Sequence, residues 1–328
     1  MTSKPLEGKI ALVTGASRGL GKGIAIGLAE AGATVYITGR TLYSSEPGMG
    51  SLEETQKELE KVGGAAIPVQ VDHGDDEQVR LLFERIADEQ QGQLDLLVNN
   101  AYSAVSMLKE TYGQSFWELE PNLWDRVNHV GLRGHYIASV YAARMMVPRK
   151  QGLICTLSSW GGLFPIFGVL YGVGKTACDR LALELALELK PHNITSLSIW
   201  PGIVGTEKFT QFAQEQEASG TLPERGNPFA DGFNWETPLL TGRVIACLAT
   251  DSEIIKRTGK VQIVAEQARR YGVVDREGNQ PASLRSLQFI LPMMIPQLRP
   301  YSSWLPSLYV PWWLLMSGVI KSPQVGNG

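Results

Sequence analysis

Short apolar, branched runs alternate along this chain with stretches whose apolar residues recur every three or four positions, and that pattern predicts strands and helices in turn. Ile10-Ala-Leu-Val-Thr14 reads as a buried strand, and Ile24, Leu28 and Ala31 mark a helix closed by Gly32. A second strand, Thr34 to Thr38, ends in Gly39-Arg40; a loop from Thr41 then leads into a charged helix that stops at Gly63-Gly64. The third strand, Ala66 to Val71, delivers Asp72 at its tip, and the helix from Glu77 to Glu89 carries Val79, Leu82, Phe83 and Ile86 on one stripe. Leu94 to Asn99 is a fourth strand and Gly152 to Ser159 a fifth; an apolar helix opens at Tyr171 and runs to about Leu189. Ile194 to Trp200 is the sixth strand, and a helix around Gly242 to Ala249 precedes a seventh, Lys260 to Val264. This alternation predicts an α/β fold, a doubly wound parallel sheet of about seven strands of Rossmann type, with helices on both faces. Ligands of such sheets sit at the carboxyl ends of the strands, where Gly15, Arg40, Asp72 and Asn99 all fall.

The turn after the first strand is Gly15-Ala-Ser-Arg-Gly19-Leu-Gly21. A glycine-rich turn between a strand and a helix lets backbone N–H groups approach a pyrophosphate at the positive end of the helix. Gly15, Ser17, Arg18, Gly19, Leu20 and Gly21 are therefore candidate cofactor contacts, with a plain tight turn as the alternative. At the end of the second strand, where an acid would bind the ribose hydroxyls of NAD, stands Arg40, and an arginine there accepts the 2′-phosphate of NADP. Arg18 could add a second positive charge to the same phosphate; the plain reading makes both surface arginines. NADP(H) is the favoured cofactor and NAD(H) the alternative. Asp72 either holds an adenine amino group or caps the next helix.

Tyr171 and Lys175 stand four apart in a predicted helix and so share a face. An ammonium beside a phenol favours the phenolate and lowers a pKa that starts at ~10, which makes a usable proton donor and acceptor near neutral pH. The Y-x-x-x-K string alone is common by chance, and its weight comes from company: a Ser158-Ser159 pair lies just upstream.

Composition narrows the classes. With 328 residues, 44% of them hydrophobic, the chain can bury a sizeable core. A net charge of -3 gives no general reason to expect nucleic acid. Cys155, Cys178 and Cys247 show no paired spacing, and His73, His129, His135 and His192 fall neither four apart nor beside a cysteine, so no metal site is expected. The first strand begins near Lys9, which leaves no room for a signal or transit peptide, and the final Gly-Asn-Gly matches no retention or peroxisomal address.

In order along the chain, Thr14-Gly15-x-x-x-Gly19-x-Gly21, Asn99-Asn100-Ala101, Ser158/Ser159, Tyr171-x-x-x-Lys175 and Pro201-Gly202-x-Val204-x-Thr206 resemble the motifs of the classical short-chain dehydrogenase/reductase family, over roughly residues 5 to 265. The resemblance implies Tyr171 as general acid and base, Lys175 as its partner and a ligand of the nicotinamide ribose, and a serine holding the substrate oxygen. Counting thirteen residues back from Tyr171 gives Ser158; anchoring on the fifth strand gives Ser159, which is preferred because loops change length more readily than buried strands. It further implies cofactor contacts from Asn99, Ala101, Pro201, Gly202, Val204 and Thr206, and a mobile lid over about 207–236 containing Gly220, Pro223, Gly226 and Pro228. One departure stands out. Where the family usually carries an active-site asparagine, whose carbonyl holds a relay water, this chain has Gly131; the carbonyl is kept and the side chain lost.

Beyond Arg270 the composition changes: from Ser286 to Ile320 the only charge is Arg299, amid Tyr301, Trp304, Tyr309, Trp312 and Trp313. Pro296, Pro300, Pro306 and Pro311 interrupt any span of the ~20 apolar residues a bilayer crossing needs, so the expectation for 271–328 is a monotopic interfacial anchor. Packing on its own domain or on a second subunit of a homodimer is the alternative. The expected activity is NADP(H)-dependent interconversion of a carbonyl and an alcohol on a lipophilic substrate, since Phe164, Pro165, Ile166 and Phe167 adjoin the site. The family resemblance points to steroid-like or xenobiotic ketones at the cytosolic face of the endoplasmic reticulum, with soluble cytoplasm as alternative. A tethered nucleotide-binding protein with little catalysis is the rival reading, and Gly131 its one hint.

Overall fold

The strands follow the apolar runs closely. In a computed structural model that describes residues 4–44, 50–104, 107, 111, 113–164, 166–219 and 232–314, without the side chains of 212, 213 and 216–219, they are β1 (Ile10–Val13), β2 (Thr34–Gly39), β3 (Ala65–Gln70), β4 (Leu96–Asn99), β5 (Gly152–Leu157), β6 (Ile194–Trp200), β7 (Ile203–Val204), β8 (Trp235–Glu236) and β9 (Val261–Ile263). All but β7 and β8 form one parallel sheet in the order β3-β2-β1-β4-β5-β6-β9. The direction of winding reverses between β1 and β4, which opens a crevice beyond their carboxyl ends.

The helices are α1 (Gly19–Glu30), α2 (Leu52–Lys61), α3 (Asp76–Glu89), α4 (Leu123–Asn128), α5 (His135–Arg149), α6 (Gly168–Leu189), α7 (Glu207–Ser219), α8 (Pro238–Thr250), α9 (Val264–Tyr271) and α10 (Leu287–Met294). Because successive strand residues face opposite ways, Ala11 and Val13 pack under α1 and α8, while Ile10 and Leu12 pack under α3 and α5. The α1/α8 contact is backbone on backbone: a Cβ on Gly27 would lie 2.5 Å from the Gly242 carbonyl carbon, so both positions exclude side chains.

Several expectations need correction. Asp72 does not cap α3; Asp75 does, its carboxylate accepting from the N–H groups of Glu77 and Gln78. The helix bearing Tyr171 starts three residues earlier, at Gly168. Between α4 and α5 the chain makes a π-helical turn, His129–Gly134, in which Gly131 sits; a wider turn of this kind is set by tertiary contacts and leaves no sequence period. The expected lid begins as helix α7, and Gly220, Pro223, Gly226 and Pro228 lie outside the described residues, as does Pro165.

The described part of the tail packs on its own domain. Arg285 pairs with Glu266 (2.6 Å) and lies over the rings of Tyr309 and Trp312; Trp312 meets Trp200, and Phe289 of α10 is buried against Trp160. Among the described residues no helix is long and apolar enough to cross a membrane.

Candidate active site

One cavity of roughly 520 Å³ lies at the carboxyl ends of the strands. The β1–α1 turn forms its floor. Gly15 has φ +69, and a Cβ there would sit 2.8 Å from Ala101 Cα; a Cβ on Gly21 would sit 2.2 Å from the Gly15 carbonyl oxygen. Gly15 is thus demanded by close approach of the loop after β4, and Gly21 by the turn's own backbone and the Asn100 amide. Asn100 latches the two loops, its amide donating to the Thr14 and Gly15 carbonyls, while the Thr14 hydroxyl accepts from the N–H groups of Asn100 and Ala101. Gly15, Ser17, Arg18, Gly19, Leu20 and Gly21 all border the cavity, as do Arg40, Asp72 and Ala101. Asn99 does not: its side chain is buried, donating to Ser139 Oγ (2.9 Å) and to the His135 carbonyl. Of the pair it is Asn100 that borders the cavity, because neighbouring residues at a strand end point opposite ways.

On the β2 side three cations gather. Arg18 and Arg40 line the cavity together with Lys208, from the first turn of α7. Desolvation, and then the nearby charges of Arg18 and Arg40, hold the Lys208 ammonium below its ordinary value. Lys208 was not foreseen, since the polar stretch around it reads only as a lid. Thr206 N-caps α7, accepting from Phe209 N–H, and its methyl would touch a Cβ on Gly19.

On the β5 side stand the two serines, Tyr171 and Lys175. Ser158 is 4% exposed and its hydroxyl donates to the Lys175 carbonyl at 2.9 Å, which ties β5 to α6. Ser159 faces the cavity more openly; its oxygen accepts from Gly161 N–H, and a Cβ on Gly161 would meet both that oxygen (3.4 Å) and the Tyr171 ring (2.6 Å). The Lys175 ammonium donates to the Leu157 carbonyl (3.1 Å) and lies 4.9 Å from the Tyr102 ring centroid and 5.8 Å from that of Tyr171. Ile166, Phe167, Trp160 and Phe209 give this side an apolar wall, with Phe167 edge-on to Tyr171.

The model of the short chain dehydrogenase family matches residues 9–217. The chain belongs to the short-chain dehydrogenase/reductase family. It is 44% identical over 313 residues to the mouse protein "Dehydrogenase/reductase SDR family member 1", covering 95% of this chain and 97% of that one, and 44% identical over 314 residues to the human protein of the same name, with the same coverage. The crystal structure of a short-chain type dehydrogenase/reductase from Mycobacterium marinum superposes with a TM-score of 0.63 at 28% identity, over 79% of this chain and 94% of that one. As an oxidoreductase of the short-chain dehydrogenase/reductase family the chain binds an NAD(P) nucleotide and a small substrate.

In this short-chain dehydrogenase/reductase, Pro201, Gly202 and Val204 border the cavity, and Glu236 of β8 lies buried beneath their loop, accepting from Gly202 N–H. Burial raises its carboxyl to about 7, against 4.5 unperturbed. Below pH 4.5 both folded and unfolded forms are protonated and the group contributes nothing to the pH dependence. Between 4.5 and 7 only the unfolded form ionises, so stability falls as pH rises; above 7 the penalty stays constant, at about 3 kcal/mol. Glu236→Gln is expected to remove this decline, read as urea-unfolding free energy at pH 5 and pH 7.5; a decline of equal size in the variant contradicts it.

Proposed function

We propose that the protein is an NADP(H)-dependent carbonyl reductase or alcohol dehydrogenase acting on a lipophilic substrate. The observation that carries the reading is that one cavity is bordered by the Tyr171 phenol, flanked by Ser159 and Lys175 on an apolar wall, and by the cations Arg18, Arg40 and Lys208. Gly15 to Gly21, Asp72, Ala101, Pro201, Gly202, Val204 and Thr206 would hold the dinucleotide, and the three cations its 2′-phosphate. When bound, NADPH supplies the hydride. The chain's own residues manage the oxygen. Ser159 donates a hydrogen bond to it, Tyr171 gives it a proton as charge develops, and Lys175, fixed by the Leu157 carbonyl, keeps a positive charge beside the phenol. Asn99 acts behind the surface, securing α5 to the sheet, and Ser158, at the cavity's edge, secures α6. The apolar wall suits steroid-like or xenobiotic ketones. The test is NADPH oxidation at 340 nm with such ketones, wild type against Tyr171→Phe.

We further propose that the tail touches a membrane surface while packed on the domain, at the cytosolic face of the endoplasmic reticulum. Trp304 is 84% exposed, and Met294, Tyr301, Leu308 and Trp313 are exposed with it, a composition suited to the bilayer interface. Trp304→Ser with Trp313→Ser is expected to reduce flotation with phosphatidylcholine vesicles at least about fivefold; unchanged flotation removes the idea. Val169, Val173, Leu183 and Leu187 leave an apolar stripe exposed on α6, which favours a homodimer as the assembled form.

A further inference from the structure

The missing asparagine at position 131 has a counterpart in space. A Cβ on Gly131 would lie 2.5 Å from Tyr102 Cδ2 and 3.0 Å from Cε2, so the aromatic ring occupies the room a side chain at 131 would need. That ring also faces the lysine of the site, with the Lys175 ammonium 4.9 Å from its centroid, nearer than to the ring of Tyr171 itself. It stands edge-on to Tyr171 at 6.3 Å. The Gly131 carbonyl already accepts from the Cys178 thiol at 3.4 Å. The Tyr102 hydroxyl is buried and has no hydrogen-bond partner among the described residues, so the ring, not the hydroxyl, makes the contacts that matter.

We propose that Tyr102 is a positioning residue: its ring takes the place of a side chain at 131 and holds the Lys175 ammonium against Tyr171 by a cation–π contact. The ring's negative face attracts the ammonium, and the Leu157 carbonyl supplies the other hold, so the lysine has two fixed partners and needs no asparagine. The sequence Gly131 with Tyr102 is then one device, and a side chain at 131 is compatible with the site only if the ring at 102 is removed.

The assignment rests on the proposed roles of Tyr171 and Lys175, and its test needs no ketone. The Lys175 ε-methylene protons, assigned through Lys175→Arg, are followed by NMR in the wild type and in the Tyr102→Leu and Tyr102→Phe variants, with NADPH titration as the check on folding. Ring current from Tyr102 is expected to hold them upfield of other lysines in the wild type and in Tyr102→Phe, and the displacement is expected to be lost in Tyr102→Leu. A leucine variant that binds NADPH and keeps the wild-type displacement overturns the proposal, and so does a phenylalanine variant that loses it. Should the leucine variant not fold, the wild-type protein decides: an unshifted Lys175 resonance overturns it. Failure of the ketone assay with these signals intact would strike the proposed function and leave the role of Tyr102 standing.

Discussion

Tyr171→Phe is expected to lower ketone-dependent NADPH oxidation about 10³-fold while leaving NADPH affinity within about twofold of wild type. On the wall that also carries Ser159 and Lys175 the phenol is the proposed acid, and two neighbouring hydroxyls are poorly placed to replace it: Ser158 is turned into the α6 backbone, and the Tyr102 hydroxyl is buried. Affinity should survive because phenylalanine keeps the edge contacts to Phe167 (5.2 Å) and Tyr102 (6.3 Å), and because Lys175 is held by the Leu157 carbonyl, which the phenol does not touch. A loss confined to kcat identifies an interaction made as the proton moves. A variant that retains a tenth of the wild-type rate rules out Tyr171 as the acid; one that loses NADPH binding makes the residue structural.

The sheet could be read from the sequence because its strands are buried on both faces, so each is a continuous apolar run; Ile194–Trp200 has the bounds that composition predicts. The motif residues could be named for a related reason: a βα turn, a strand tip and an i, i+4 helical pair are local patterns, while the roles expected of them come from the family resemblance. What was hidden depends on contacts between distant segments. Asn100 and not Asn99 meets the glycine turn, which requires knowing how the loop after β4 lies against β1. Tyr102 against Gly131, and the carboxyl of Glu236 against Gly202 N–H, join positions whose neighbours in sequence say nothing of each other. Phe289 and Trp312 show the same limit in the tail. An apolar composition does not distinguish a bilayer from a protein wall, and these two side chains meet Trp160 and Trp200, whereas Trp304 and Trp313 meet solvent.

Replacing Arg18, Arg40 and Lys208 together by alanine is expected to weaken NADPH binding by about 10²–10³-fold at 50 mM salt and to leave NADH within about threefold, read by fluorescence titration. The two nucleotides differ only in the 2′-phosphate, so the difference isolates that group. Hydrogen bonds to charged groups contribute about 1.5–3 kcal/mol each when well formed, and tenfold in affinity is about 1.4 kcal/mol. Arg40 is exposed, so its share belongs at the bottom of that range or below it. Lys208 is the more informative member. Its ammonium is destabilised by desolvation and by the two arginines, and a bound phosphate would relieve both costs. Two arginines beside a lysine are a charge arrangement that suits a dianion. Two controls separate this from a general loss of fold. Raising salt from 50 to 500 mM should narrow the gap between NADPH and NADH in the wild type and barely change it in the triple variant, because the screening length for Coulombic attraction near the surface falls from about 14 Å to about 4 Å over this range. Lys208→Ala alone should reduce NADPH affinity about tenfold with NADH unchanged. If NADH weakens as much as NADPH, the cations support the loop or α7 rather than the phosphate, and the cofactor preference has to be sought elsewhere.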